Sequence, residues 1–298
     1  MNETLALELK NVVKKRQRRV VGPVNLQIPQ GYIVALVGSN GSGKSTILHM
    51  LTQSLIPDEG EIKWFGREGS DDLPLDIKSK IAYVPENTAM EENYQTAEQA
   101  ASFRAYWYPS WDQKRFERLM TRFDVPRNER LNRMSKGERR KFEVAAALAA
   151  NPKLLVLDEL SSGLDPFAWK DMIEELQECM TGEDVTMIMA THIVEEIKRL
   201  ADYIVLVHKG KVLGMAEKDL LYGSCYEVWV RGDFAGLKDR PELIRCEENE
   251  ASIHKLLVRD EAFISELQQF KDLQVMRSRA LELEEVLELW IEGYQPNC

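Results

Sequence analysis

Nowhere in its 298 residues does the chain run to eighteen or more consecutive apolar residues, which excludes a membrane-spanning helix. The opening Met1-Asn2-Glu3-Thr4 has neither the basic start nor the apolar stretch of a secretory signal. Cysteine is sparse. Cys179, Cys225, Cys246 and Cys298 stand far apart with no CxxC pair, and they suit reduced thiols of a cytosolic protein better than a disulfide framework or a zinc site. Positive charge is the minority sign, 39 Lys and Arg against 49 Asp and Glu, and the formal net charge of −10 argues against nonspecific nucleic-acid binding. One local exception, Lys14-Lys15-Arg16-Gln17-Arg18-Arg19, reads as a solvated β-hairpin turn. Internal repeats and low-complexity tracts are absent as well. What remains is an ordinary globular composition, 44% apolar and 30% charged, in a chain long enough for one large core and a small appendage.

Apolar periodicity changes character along the chain. Leu5 to Val12 and Val24 to Ile28 alternate apolar and polar residues, as half-buried strands do. Tyr32 to Val37 is a continuous apolar run fit for a buried strand, and Ile47 to Leu55 reads as a helix. Short strands are expected at Glu61 to Phe65 and Ile81 to Val84. From Thr96 to Phe123 the character is helical, with Phe103, Tyr106, Trp107, Phe116, Leu119 and Phe123 expected to form the core of a helical subdomain. Glu138 to Ala150 is a helix stopped by Asn151-Pro152. Leu154 to Leu157 is a strand, Asp171 to Met180 a helix, Val185 to Ala190 a strand and Val194 to Leu200 a helix. Tyr203 to Val207 and Lys211 to Gly214 close as a hairpin around His208-Lys209-Gly210. Strands alternating with helices predict an α/β domain, residues 1–222, whose largely parallel sheet is covered on both faces. After about Gly223 the pattern restarts with strands at Tyr226 to Val230, Ile253 to Val258 and Leu273 to Arg277. Helices at Glu261 to Phe270 and Leu281 to Ile291 make residues 223–298 a small α+β appendage.

Two local patterns carry chemistry. Gly38-Ser39-Asn40-Gly41-Ser42-Gly43-Lys44-Ser45-Thr46 matches the GxxxxGK[ST] phosphate-binding loop and falls between a buried strand and a helix. Its glycines let backbone N–H groups turn inward as an anion cradle, and the following helix adds its positive dipole end. Lys44 is expected to reach the β- and γ-phosphates of a nucleotide, and the Ser45 hydroxyl to ligate Mg²⁺. Leu154-Leu155-Val156-Leu157-Asp158-Glu159 is an apolar strand that delivers two carboxylates at its C-terminal edge, where ligands of open parallel sheets bind. Asp158 suits a Mg²⁺ ion held through water, and Glu159 suits polarisation of an attacking water.

Met134-Ser135-Lys136-Gly137-Glu138, Ser162-Gly163-Leu164-Asp165 and His192 join these in the order seen in ATP-binding-cassette ATPases, which the chain resembles over about residues 5 to 220. The resemblance implies a P-loop NTPase fold: a RecA-like core sheet, an antiparallel β subdomain and an inserted helical subdomain at about residues 87–150. It implies ATP and Mg²⁺ as ligands, with Glu159 and His192 beside Lys44 in hydrolysis. Met134–Glu138 is similar to the family's LSGGQ signature, in which Ser135 and Gly137 contact ATP held by a second protomer. Read by itself, Ser135-x-x-Glu138 is a helix capping box. Asp165 is similar to the acid that couples two sites across such a dimer.

Two positions depart from the family pattern. Ala82-Tyr83-Val84-Pro85-Glu86 ends in Glu where Gln is usual, so Glu86 is expected at the metal with an added negative charge beside Asp158 and Glu159. Arg16 stands near the place of the adenine-stacking aromatic, and a guanidinium stacked on the base implies looser base selectivity. Tyr106-Trp107-Tyr108-Pro109-Ser110-Trp111-Asp112 and the Leu281 to Leu287 segment resemble the YtrB-like branch serving exporter-type permeases. By that resemblance the chain is a cytoplasmic ATPase at the inner face of the membrane, paired with a second protomer in a homodimer or heterodimer. It drives a separate permease through the surface near Asn87 to Tyr94, without nucleic acid. The alternative is a soluble regulatory ATPase of the same family with no membrane partner.

Overall fold

The computed structural model describes residues 4–16, 19–69, 72–87, 94–182, 185–233, 235–237, 240–248, 253–270 and 272–295. Met1 to Glu3, Gln17, Arg18, residues 88–93 and Cys298 lie outside them. The chain divides into two compact units, Met1–Met215 and Ala216–Cys298.

The first unit begins with β1 (Leu5–Arg16), β2 (Arg19–Pro29), β3 (Ile33–Val37), α1 (Lys44–Leu51), β4 (Glu59–Trp64) and β5 (Arg67–Glu68). It continues through α2 (Leu75–Lys78), β6 (Ile81–Val84), α3 (Ala97–Trp107), α4 (Gln113–Arg122) and α5 (Lys136–Ala149). Then come β7 (Leu154–Asp158), α6 (Pro166–Met180), β8 (Thr186–Thr191), α7 (Val194–Leu200), β9 (Tyr203–His208) and β10 (Lys211–Glu217). One sheet has the order β10-β9-β3-β8-β7-β6, with β9, β3, β8, β7 and β6 paired in parallel. The other, β2-β1-β4-β5, is antiparallel. A shared core joins them around α1, where Ile47, Leu48 and Leu51 meet Leu7, Leu26 and Trp64 of one sheet and Val34, Ile188 and Val205 of the other. Trp64 fixes this contact by donating its indole N–H to Leu51 O at 2.8 Å.

Several elements begin where their start signals stand. Asp165 caps α6 through Phe167 N (2.9 Å) and Ala168 N (3.0 Å), with Pro166 next, so the helix starts five residues before the expected Asp171. Gly43 ends the glycine loop and α1 starts at Lys44 rather than Ile47. The basic stretch forms the expected hairpin, with Lys15, Arg16 and Arg19 exposed. Arg16 pairs with Arg19 in the β1–β2 register, while Lys14 and Lys15 bind Asp58 (2.9 Å) and Glu59 (2.5 Å).

The helical region corrects half of the expected aromatic core. Phe116, Leu119 and Phe123 are buried, Phe116 standing edge-on to Phe142 with ring centroids 6.5 Å apart. Phe103, Tyr106 and Trp107 are instead 53%, 82% and 52% exposed. On α3 the buried residues are Ala97, Ala100 and Ala101, whose small side chains permit close packing, while Tyr106 stands half a turn round from Ala97 and Trp107 is the last residue of the helix. Glu175 of α6, fully buried, accepts both guanidinium nitrogens of Arg118 (2.5 and 2.8 Å) and an ion pair from Arg122, which ties α4 to the core.

The second unit contains α8 (Lys218–Leu221), β11 (Tyr226–Gly232), β12 (Leu243–Glu248), β13 (Ile253–Val258), α9 (Glu261–Leu267), β14 (Leu273–Ala280) and α10 (Leu283–Ile291). Its antiparallel sheet, β12-β13-β11-β14, packs Val228, Val230, Leu256 and Val258 against Phe263, Ile264 and Leu267 of α9. Strand β12 is an addition to the expected set. Arg279 donates to Glu285 (2.6 and 2.8 Å) and Glu227 (3.1 Å), and this fork holds the Glu285 carboxyl down to about 2, from an ordinary value of 4.5. A carboxyl depressed in the fold stabilises it above its unfolded value and loses that stabilisation as pH falls through the folded one. With both side chains about a third exposed, screening limits the gain to about 1 kcal/mol. Glu285→Gln should therefore lower the urea midpoint at pH 6 and leave it close to the parent's at pH 2.5.

Candidate functional site

Strand β3 leads directly into the glycine loop, and the loop's shape is imposed by contact with β9. A Cβ on Gly38 would stand 2.1 Å from Val207 O, so only glycine fits. Gly41 and Gly43 take φ of +75° and +116°, conformations that L side chains resist. Gly43 also has no side chain to cap α1, so the helix presents its leading amides to whatever lies in the loop.

Lys44, 5% exposed, donates to Gly38 O at 2.8 Å and Ser39 O at 3.4 Å and lies 3.9 Å from Glu159 Oε1. Burial pushes its pKa down, while Glu159, Asp158 and Glu86 pull it back up. One residue on, Ser45 Oγ donates to Asp158 Oδ1 at 3.3 Å. Asp158 closes β7 and is 2% exposed. Burial raises its pKa against the Ser45 hydrogen bond, and the charges of Glu159 and Glu86 add to the rise.

Glu159 sits at φ +51°, a left-handed conformation costly for a residue with a Cβ, and its amide donates to Ala190 O at 3.0 Å. That bend turns its carboxylate toward His192, whose Nδ1 lies 2.8 Å from Oε2. The fully buried Glu196 fixes the same two loops to each other, accepting from Ser161 N at 3.1 Å and Thr191 Oγ1 at 2.5 Å.

A cavity of about 820 Å³ brings together Arg16, Asn40, Gly41, Gly43, Lys44, Ser45, Thr46, Glu86, Glu159 and His192. Gly38, Ser39, Ser42 and Asp158 build the loop and floor without lining it. Ser135, Gly137 and Asp165 are not among its lining residues. Ser135 caps α5 and exchanges a capping box with Glu138 (2.8 and 3.2 Å), so the capping interpretation is correct. A Cβ on Gly137 would stand 2.6 Å from Gly163 O, which sets the start of α5 directly against the loop leading to Asp165. Five lining residues lie outside the sequence motifs: Ser161 and Ile193, next to Ser162 and His192, and three others farther off. Arg19 donates to Gly41 O at 2.6 Å, Val21 packs on Gly43, and His49 stands edge-on to Tyr83. Of these three, His49 alone had a local signal, since it follows Ser45 by one helical turn.

A parallel sheet whose C-terminal edge sets a glycine loop and its lysine against an acid pair defines a P-loop nucleoside-triphosphatase. Residues 21–162 match the family model for ABC transporters. The lantibiotic transport ATP-binding protein SrtF of Streptococcus pyogenes is 30% identical over 216 residues, 72% of this chain and 91% of its own length. The ABC transporter ATP-binding protein YtrB of Bacillus subtilis is 27% identical over 203 residues, 68% of each chain. A solved ATP-binding subunit of an ABC transporter superposes with a TM-score of 0.64 at 27% identity, covering 73% of this chain and 92% of that one. The chain belongs to the ATP-binding subunits of ABC transporters, and it binds and hydrolyses ATP.

Because Gly38 admits no Cβ, Gly38→Ala should displace the loop and lower ATP turnover by about 10²-fold, the effect of misplacing reacting groups by about 1 Å. Steady-state phosphate release, with circular dichroism to show an intact fold, checks this.

Proposed function

We propose that the chain is the motor of a transporter whose translocation path belongs to separate integral-membrane subunits, with outward transport as in the exporter branch it resembles. The first compact unit, Met1–Met215, is the motor and the second, Ala216–Cys298, an accessory domain. The protein works on the cytoplasmic side, held at the membrane by its permease. The observation that carries the catalytic assignment is the Glu159 carboxylate, held between His192 at 2.8 Å and Lys44 at 3.9 Å on the wall of the phosphate-loop cavity.

Lys44 and the loop amides hold the β- and γ-phosphates, and Arg16 meets the base from the cavity rim. Mg²⁺ fits the oxygen donors Ser45 and Asp158, with Glu86 at the edge. Among the described residues no group of three or more His, Cys, Asp or Glu is placed to cage a metal alone. That suits an ion shared with phosphates and water, which supplies charge neutralisation to the leaving phosphate. Glu159 accepts a proton from the attacking water as its oxygen bonds to the γ-phosphorus. The bond to the β-phosphate oxygen breaks, and ADP leaves with the electron pair. His192 keeps the Glu159 carboxylate aimed. Ser135, Gly137 and Asp165, which stand apart from the cavity, serve the site of a second, identical or homologous protomer.

Among the described residues no helix is long and apolar enough to cross a membrane, so the path is assigned to other chains. Trp107 lines a cavity of about 310 Å³ with Tyr83, Arg104 and Tyr108, and exposed Phe103 and Tyr106 stand edge-on to Trp107, a surface suited to an apolar cytoplasmic segment of the permease. The expected outcome of Glu159→Gln is a turnover loss of roughly 10²–10⁴-fold with ATP binding retained, read by phosphate release and by a fluorescent nucleotide. Undiminished turnover would remove Glu159 from the mechanism. Co-purification with a detergent-solubilised permease tests the membrane assignment, and its failure favours the soluble regulatory ATPase.

A further inference from the structure

Arg140 lies on α5, one and a half turns beyond Ser135, and is 4% exposed. Its guanidinium does not project toward the cavity. It forks onto two successive carbonyls, Nη1 donating to Pro85 O at 2.8 Å and Nη2 to Glu86 O at 3.2 Å. Burial lowers its pKa, and Glu143, Asp158, Glu86 and Tyr83 act in the other direction. Burying a guanidinium carries a desolvation penalty, whereas a neutral amide would also donate to carbonyls. A cation here does two things that an amide cannot. Its planar fork holds two consecutive peptide units in one orientation, and its charge stands among the acids that an added carboxylate at position 86 crowds.

We infer that Arg140 is the positioning residue of Glu86: its fork on the carbonyls of residues 85 and 86 sets the Glu86 carboxylate toward the metal-binding face of the cavity. The inference rests on the assignment of Glu86 to the metal. It also makes the placement of Glu86 depend on α5, the helix that carries Ser135 and Gly137.

Charge and position give opposite signs. Removing a cation from an acidic pocket, by itself, tightens binding of a divalent metal. Losing the support of a metal-binding side chain weakens it, by about tenfold or more. The experiment measures Mn²⁺ binding by electron paramagnetic resonance in the presence of a nonhydrolysable ATP analogue, and half-saturating Mg²⁺ in ATP turnover. The full-length parent is compared with Arg140→Met, Arg140→Lys and Glu86→Gln, each checked by thermal melting. Weaker Mn²⁺ binding and a raised Mg²⁺ requirement in both Arg140 variants, with metal-free nucleotide binding unchanged, are expected. Arg140→Lys keeps the charge and loses the fork, so its failure to restore the parent's metal affinity separates positioning from electrostatics. Tighter or unchanged metal binding in Arg140→Met, or parental behaviour of Arg140→Lys, overturns the inference. If Glu86→Gln alters metal dependence while the Arg140 variants do not, the inference alone falls. If Glu86→Gln alters nothing, the assignment of Glu86 falls and takes the inference with it.

Discussion

Hydrogen bonding between β3, β8, β7 and β6 runs in parallel register, pairing Val37 with Thr191, Asp158 with Ala190 and Val84 with Leu157. Parallel strands end at one edge of the sheet. Each of these four therefore releases its next residues into the same space: the glycine loop after Val37, Glu159 after Asp158, His192 after Thr191, and Glu86 two residues after Val84. Once the sheet has formed, no separate step assembles the site, because the register that buries Val34, Ile188 and Val156 also sets the loops side by side. The left-handed bend at Glu159 is the main local cost, and the amide bond to Ala190 O holds it.

Most of the site was legible because its signals are local. A glycine loop declares itself by spacing, and an apolar run ending in two acids declares a strand and its edge. The residues that escaped depend on facts no local window contains. Arg19 reaches Gly41 only because the hairpin register pairs Arg16 with Arg19, and that register follows from packing on Lys10 to Val13 and Glu59 to Ile62. The ion pairs of the basic stretch escape for the same reason, since Asp58 and Glu59, which bind its lysines, lie more than forty residues away.

Secondary structure shows a similar division. The strands of the parallel sheet are short apolar runs that admit little else, whereas helix faces are ambiguous when both sides carry apolar residues. On α3 the aromatic stripe is larger and more hydrophobic than the alanine stripe, yet the alanines face inward. Small side chains at Ala97, Ala100 and Ala101 let that side of the helix sit close to its neighbours, where aromatic rings would hold it off. The bulky face is then left for solvent or a partner. Strand β12, Leu-Ile-Arg-Cys-Glu-Glu, loses its alternation in a run of charge, and only its pairing with β13 identifies it.

Charge decides how the cavity can be filled. Glu86, Asp158 and Glu159 all act on the buried Lys44, and Glu86 and Asp158 act also on Arg140, buried outside the cavity lining. Arg16 and Arg19 are also basic, but they stand at the exposed rim, where water and salt screen their charge. A triphosphate entering such a pocket adds more negative charge than the two interior cations offset, so neutralising charge must arrive with the nucleotide. An ordinary Gln at position 86 would ease that requirement by one charge. The buried Arg140 guanidinium stands next to the backbone that carries Glu86.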